Sequence, residues 1–213
     1  MPGLPRESSA PRVGSPRARA HGAAPRPVKI SEEAIRRHSR SLLLPGVGGR
    51  GLAAWLGCCA RCAGGGAVLD AARLFATRAG IGVAEEPPID LVLAADESGA
   101  TTIDPAAPFV LAACGDAGVA VVAASPVAAA PCGACALAAA RRAAGRPRAV
   151  APGALALAAG ARAAGLALAL ATRRLELRDG AARTLTFFPL AEPFPASLPL
   201  LARPGCECAG ALA

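Results

Sequence analysis

Cys132-Gly133-Ala134-Cys135 and Cys206-Glu207-Cys208 place four thiols in two tight pairs, with seventy residues between them. Four such thiols suit a tetrahedral zinc ion, because cysteine deprotonates readily beside a metal and soft thiolates hold it well. The first pair has the two-residue spacing usual for these sites, and the second is one residue shorter. A zinc site at Cys132, Cys135, Cys206 and Cys208 would tie the C-terminal tail to the body. Two alternatives stand beside it: Cys59-Ala60-Arg61-Cys62 could supply the second pair, or the thiols could be ordinary buried cysteines. Cys59 and Cys62, following Trp55, also bear a faint likeness to a thioredoxin-type redox pair, but the order of elements and the spacing differ.

A second group of residues has phosphate chemistry in view. Gly64-Gly65-Gly66 precedes a run with helical apolar spacing, and a glycine turn entering a helix can cradle phosphate with backbone N–H groups. In a chain with 24 glycines, a chance run is the competing reading. Asp96-Glu97 follows the apolar run Ile89–Ala95 and offers carboxylates to Mg²⁺. Arg37 and Arg40 sit in Arg-His-Ser-Arg, either as reaching cations or as a solvated basic helix face. His38 and His21 both lie near the N-terminus, so a Cys-His dyad is hard to build.

These residues need a frame. Ser31 is a good helix N-cap, with Glu32 and Glu33 in the first turn and Ile35 expected inward. Gly51–Cys62 is expected to be a poor strand, since it has few β-branched residues. Ala67–Ala79 reads as a helix, with Leu69, Leu74 and Phe75 at helical spacing. Ile89–Ala95 and Pro108–Cys114 read as strands, and Gly115-Asp116 as a turn into a returning strand, Gly118–Ala124. Ala154–Thr172 is a long Ala/Leu helix, for which a membrane span competes, although Arg162 at its centre costs several kcal/mol in lipid. Leu175–Arg178, Asp179-Gly180 and Arg183–Phe187 form a hairpin pattern, followed by an extended Pro-rich tail.

The 213 residues suffice for one domain with a substantial core. Alanine dominates the 54% hydrophobic content and aromatics are 3%, so close backbone approach must replace bulky side chains. The net charge is +8, but residues 1–29 hold six basic groups against Glu7 and account for most of it. Residues 1–28, rich in Pro and Arg without apolar periodicity, read as a disordered tail. A basic surface interleaved with aromatics is missing, which argues against nucleic-acid binding. The N-terminus lacks a signal-peptide pattern, so a cytoplasmic location and metal-binding thiols are expected rather than a disulfide scaffold.

Arg37-His38-Ser39-Arg40-Ser41-Leu42-Leu43-Leu44-Pro45-Gly46, the glycine turn with its helix, the strand ending at Asp96 and the later Cys132-x-x-Cys135 together resemble the ThiF/MoeB/HesA family, the bacterial relatives of ubiquitin-activating enzymes. The resemblance covers Ile30–Gly210, with one internal block missing that would carry a ribose contact, an Arg-Gln pair and a phosphate-contacting lysine. Lys29 is the only lysine in the chain. The resemblance implies an α/β, shortened Rossmann-type nucleotide-binding fold with a zinc-stapled C-terminal part. It implies ATP- and magnesium-dependent adenylation of the C-terminal glycine of a ubiquitin-like or sulfur-carrier protein. Catalytic roles fall to Asp96 and Arg40, nucleotide contacts to Gly64, Gly65 and Gly66, and the assembly is a homodimer or heterodimer in which Arg40 reaches the partner subunit. The second reading is a non-catalytic pseudo-enzyme that keeps the fold to bind a protein partner.

Overall fold

The computed structural model describes residues 29–43, 47–86, 89–104, 107–125, 131–172, 183–192, 194–198, 200 and 205–206. The Pro/Arg-rich tail, residues 175–182 of the expected hairpin, and Cys208 lie outside them.

Helix α1 (Glu32–Arg37) starts at Ser31, whose hydroxyl accepts the Ala34 N–H at 3.1 Å. It buries none of its residues, and Ile35 is 44% exposed rather than turned inward. Next come α2 (Ser39–Leu42) and α3 (Gly48–Leu56). The expected strand over Gly51–Cys62 is therefore corrected: its first half is helical, and only Cys59–Ala63 forms strand β1. Leu52 and Trp55, three residues apart, give α3 a buried stripe, and an Ala-rich segment with few β-branched residues has little preference for a strand.

The rest of the order is α4 (Ala67–Ala79), β2 (Gly82–Val83), β3 (Leu91–Ala95), α5 (Asp96–Thr101), β4 (Phe109–Cys114), β5 (Gly118–Ala124), α6 (Gly133–Ala144), α7 (Gly153–Ala171), β6 (Arg183–Pro189) and β7 (Ala196–Leu198). The sheet runs β2-β1-β3-β4-β5-β6-β7, with its first four strands parallel and the last three antiparallel. Strand β2, of two residues, forms the parallel edge beside β1. β1 is followed by β2 on one side and β3 on the other, so the chain reverses direction across the sheet between β1 and β3. Such a switch opens a crevice at the carboxyl ends of the strands.

Alternate residues of the central strands face two helical layers. Val119, Val121 and Ala123 of β5 join the core under α4 and α7, while Ala120, Val122 and Ala124 join the core with α6. The layers are close, as the small-residue composition requires. A side chain on Gly160 of α7 would meet Ala71 of α4, and one on Gly133 would strike the Ala100 carbonyl. Among the described residues α7 is the one helix long and apolar enough to cross a membrane, and 44% of its apolar window is buried inside the fold. It packs along α4 and β5.

Candidate functional site

The switch crevice holds a cavity of about 120 Å³. The glycine turn after β1, the start of α4, the end of β3, the end of β4 and the loop between α6 and α7 line it. Gly64 and Gly66 have φ of +90° and +104°, conformations that side chains rarely adopt. Gly64 also lies so close to the Ala95 carbonyl that a Cβ would collide with it. Gly64 and Gly66 are thus required by the backbone, whereas Gly65 has ordinary φ and open space around it.

Asp96 stands across this turn and is the one non-glycine residue with positive φ among those described, at +59°. Its Oδ1 accepts the Ser98 hydroxyl at 2.7 Å and the Gly99 N–H at 3.2 Å. Partial burial alone would raise its pKa. Hydrogen bonding from the Ser98 hydroxyl and from the Gly99, Gly65 and Ser98 N–H groups outweighs that and holds the carboxyl below its ordinary value. The expected nucleotide contacts and the expected acidic residue therefore meet, but they meet each other: the carboxylate faces the glycine turn.

Arg141 and Arg148 complete the wall, as does Cys114, whose thiol is pushed up by burial. Arg141 pairs with Glu97 at 3.2 Å. The sequence reading did not single out these two arginines. Their signal was the run Arg141-Arg142-Ala-Ala-Gly-Arg146-Pro-Arg148, which carries four cations and no acid.

Arg40 is not part of this cavity. It lies in α2, beside α3 and near His38, which sits by Gly80 at the C-terminal end of α4. The cavity is at the other end of that 13-residue helix, about 20 Å away at 1.5 Å per residue. His38 itself is buried against the edge of the Trp55 ring, with centroids 6.0 Å apart.

The thiols form a separate centre. The sulfur atoms of Cys132, Cys135 and Cys206 lie within 4.8 Å of one another. Cys132 and Cys206 are 3.7 Å apart, close to the separation of about 3.8 Å that a tetrahedron with Zn–S of about 2.3 Å demands. Cys132 caps α6, and Cys135 falls one turn later on the same helix. This is the one such group among the described residues, and it contains neither Cys59 nor Cys62. Those two are three residues apart on β1 and point to opposite faces of the sheet, which removes the redox-pair reading. Cys58 is buried and its thiol is pushed up to about 12, by burial first and then by Asp90 and Cys59. The centre and the cavity share α6: Cys132 and Cys135 stand at its first turn, Leu137 and Arg141 line the cavity further along, and none of the three thiols does. A metal held by these thiols would tie down the tail without touching the cavity.

The class this defines is a doubly wound, Rossmann-like α/β domain with a switch-point cavity and a separate thiol cluster. No protein-family model matches the chain, and no curated protein matches it. Solved structures do share the fold. One, described as a heterocyclase in complex with substrate and cofactor, is 12% identical with a TM-score of 0.50, covering 83% of this chain and 31% of that one. Another, Escherichia coli MccB with MccA-N7isoASN, is 10% identical with a TM-score of 0.54, covering 83% and 74%. The heterocyclase TruD is 17% identical with a TM-score of 0.47, covering 83% and 33%. The chain spans about a third of the length of the heterocyclases it matches. The resemblance to the ThiF/MoeB/HesA family is corrected accordingly: the likeness is one of fold, and the neighbours are a heterocyclase and MccB, not activators of ubiquitin-like proteins.

Proposed function

We propose that the chain is a non-catalytic binding component that receives a peptide or protein substrate for a modifying enzyme of the heterocyclase kind. The observation that carries this is the cavity. At about 120 Å³ it falls well short of the roughly 300–1,000 Å³ of ordinary small-molecule sites. Asp96 directs its carboxylate at the glycine turn, where a phosphate would otherwise sit. An anion facing an anion is repelled, and of the two arginines that line the cavity, Arg141 is already paired with Glu97. The fold neighbours support the choice of partner: one is a heterocyclase in complex with a substrate, and MccB is seen with MccA-N7isoASN.

Zinc at Cys132, Cys135 and Cys206, with Cys208 as fourth ligand, belongs to this reading as a structural staple. The thiol set fits the ion in kind and in spacing.

Adenylation of a peptide carboxylate is the second reading, favoured by the shared mouth of Gly64–Gly66 and Asp96. Asp96 would then hold Mg²⁺, and Arg40, an α4 length away, would have to come from a second subunit of a dimer. Calorimetry with MgATP separates the two. No binding up to millimolar nucleotide and no ATP–pyrophosphate exchange are expected. Exchange that disappears in Asp96→Ala would replace the first reading by the second.

A further inference from the structure

Four of the seventeen arginines in residues 30–213 fall within Arg141–Arg148, a stretch with no acidic residue. Residues 30–213 hold 14 carboxylates, so outside this stretch 13 arginines face 14 acids. The whole positive excess of the body is therefore concentrated at the end of α6 and the start of the following loop. That is the rim of the cavity: Arg141 and Arg148 line it, and Arg142, Arg146 and Arg148 are exposed.

The loop is held by its backbone. The Arg146 N–H donates to Asp116 Oδ1 at 2.9 Å, and the Arg148 N–H donates to the Cys114 carbonyl at 3.2 Å. Pro147 bridges to Gly115, and Gly145 takes a φ of +85° against Asp116. Such a loop presents its guanidinium groups from a fixed platform, so little backbone entropy is lost when a ligand binds them.

We infer that this arginine rim is a docking surface for an acidic peptide segment, whose side-chain carboxylates lie across Arg141, Arg146 and Arg148. The inference rests on the reading of the chain as a binding component and names the chemistry of what it binds. Guanidinium forks match carboxylates two bonds at a time. Although Glu97 pairs with Arg141 and Asp96 lines the cavity, the arginines outnumber the acids at the rim, which raises the encounter rate with an acidic partner. Phosphate would satisfy the same forks, but nucleic acid needs stacking platforms. The loop has no aromatic residue, and Trp55, Phe109 and Phe188 are buried elsewhere.

The test uses the full chain and a fluorescent, C-terminally amidated deca-glutamate, which leaves only side-chain carboxylates to be read. Anisotropy should show binding that weakens as salt rises. The double reversal Arg146→Glu/Arg148→Glu should weaken it on the order of tenfold or more. Arg146→Gln/Arg148→Gln should give a smaller loss, and neither should change the melting temperature, because the loop is anchored through its backbone. The reversal Arg12→Glu/Arg17→Glu/Arg19→Glu, in the other basic stretch, should leave binding intact. The proposal is overturned if the tail reversal abolishes binding while the loop reversals do not. It is equally overturned if a ten-nucleotide single strand displaces the peptide at equal concentration. MgATP binding would sink the functional reading and leave this result standing, so the two failures are distinct.

Discussion

Substituting Cys206 should unfasten the tail, and the fold allows the size of the effect to be estimated. Cys132 and Cys206 are 74 residues apart in sequence and 3.7 Å apart at sulfur. A cross-link closing a loop of that length removes unfolded-chain entropy worth roughly 4 kcal/mol. A metal held by both cysteines acts as such a cross-link, and its binding free energy is added to folding only while the site is complete. Cys206→Ser is therefore expected to lose about one zinc per chain and to lower the melting temperature by roughly 8–16 °C, at about 2–4 °C per kcal/mol for a domain of this size. Cys132→Ser should do the same, and a strong chelator should bring the parent protein down to the level of both variants. Elemental analysis and calorimetry on the same samples read the two quantities together. Cys62→Ser is the control, since Cys62 lies outside the cluster, and it should keep the metal. Zinc retained in full by Cys206→Ser, or an unchanged melting temperature in both cluster variants, would refute the reasoning and leave the tail held by packing alone.

Two glycines on α7 should respond in opposite directions. Gly160→Val would push a side chain into Ala71 and part α4 from α7, costing about 1–3 kcal/mol of unfolding free energy, read from denaturant melts. Gly165→Ala meets nothing within 4 Å and should stabilise by roughly 0.5–1 kcal/mol through helix propensity. Leu52→Ala, fully buried beneath the N-terminal helices, should cost about 2–5 kcal/mol. For Asp96, whose folded pKa is depressed, the stabilising contribution is complete above the ordinary carboxyl value of about 4. It is lost as pH falls through the depressed folded value, so thermal melts between about pH 4 and pH 2 should fall less steeply in Asp96→Asn than in the parent. Equal slopes would show that the hydrogen bonds from Ser98 and Gly99 do not favour the charged form.

The parts of the fold that were legible in sequence are those where one physical signal acts alone. Apolar runs bounded by turn residues marked β3, β4 and β5, because strands buried on both faces leave no room for polar residues. Helical spacing of Leu69, Leu74 and Phe75 marked α4, although Leu74 is exposed and Val68 and Ala72 are buried instead, and Ser31 marked the start of α1. Legibility failed where alanine carried the pattern. Gly51–Cys62 mixes a helix and a strand, and alanine, small enough to be buried in either, gives no period to separate them. Helix α6 escaped notice for the same reason: five of its buried residues are Ala or Gly. The thiol cluster was legible because cysteine spacing is chemistry rather than pattern. The arginine rim was not, because its significance comes from the Gly115–Pro147 bridge and the Asp116 contact, which are long-range.

The switch point explains why the cavity is there whatever it binds. Its position follows from strand order alone: β1 must be left in both directions, and the turns after β1 and β3 must then face each other. Gly64 is needed there because the Ala95 carbonyl leaves no space for a side chain, whatever the crevice binds. Glycines at such a turn are thus evidence of close backbone approach first and of phosphate only second. The residue that decides between the two is the one opposite. In this chain it is Asp96, hydrogen-bonded to its own helix start and turned toward the glycine loop, so the backbone donors that a phosphate would use already face an anion from within. What the crevice still offers to an outside ligand is its rim, and the cations of that rim come from the loop between α6 and α7 rather than from the glycine turn.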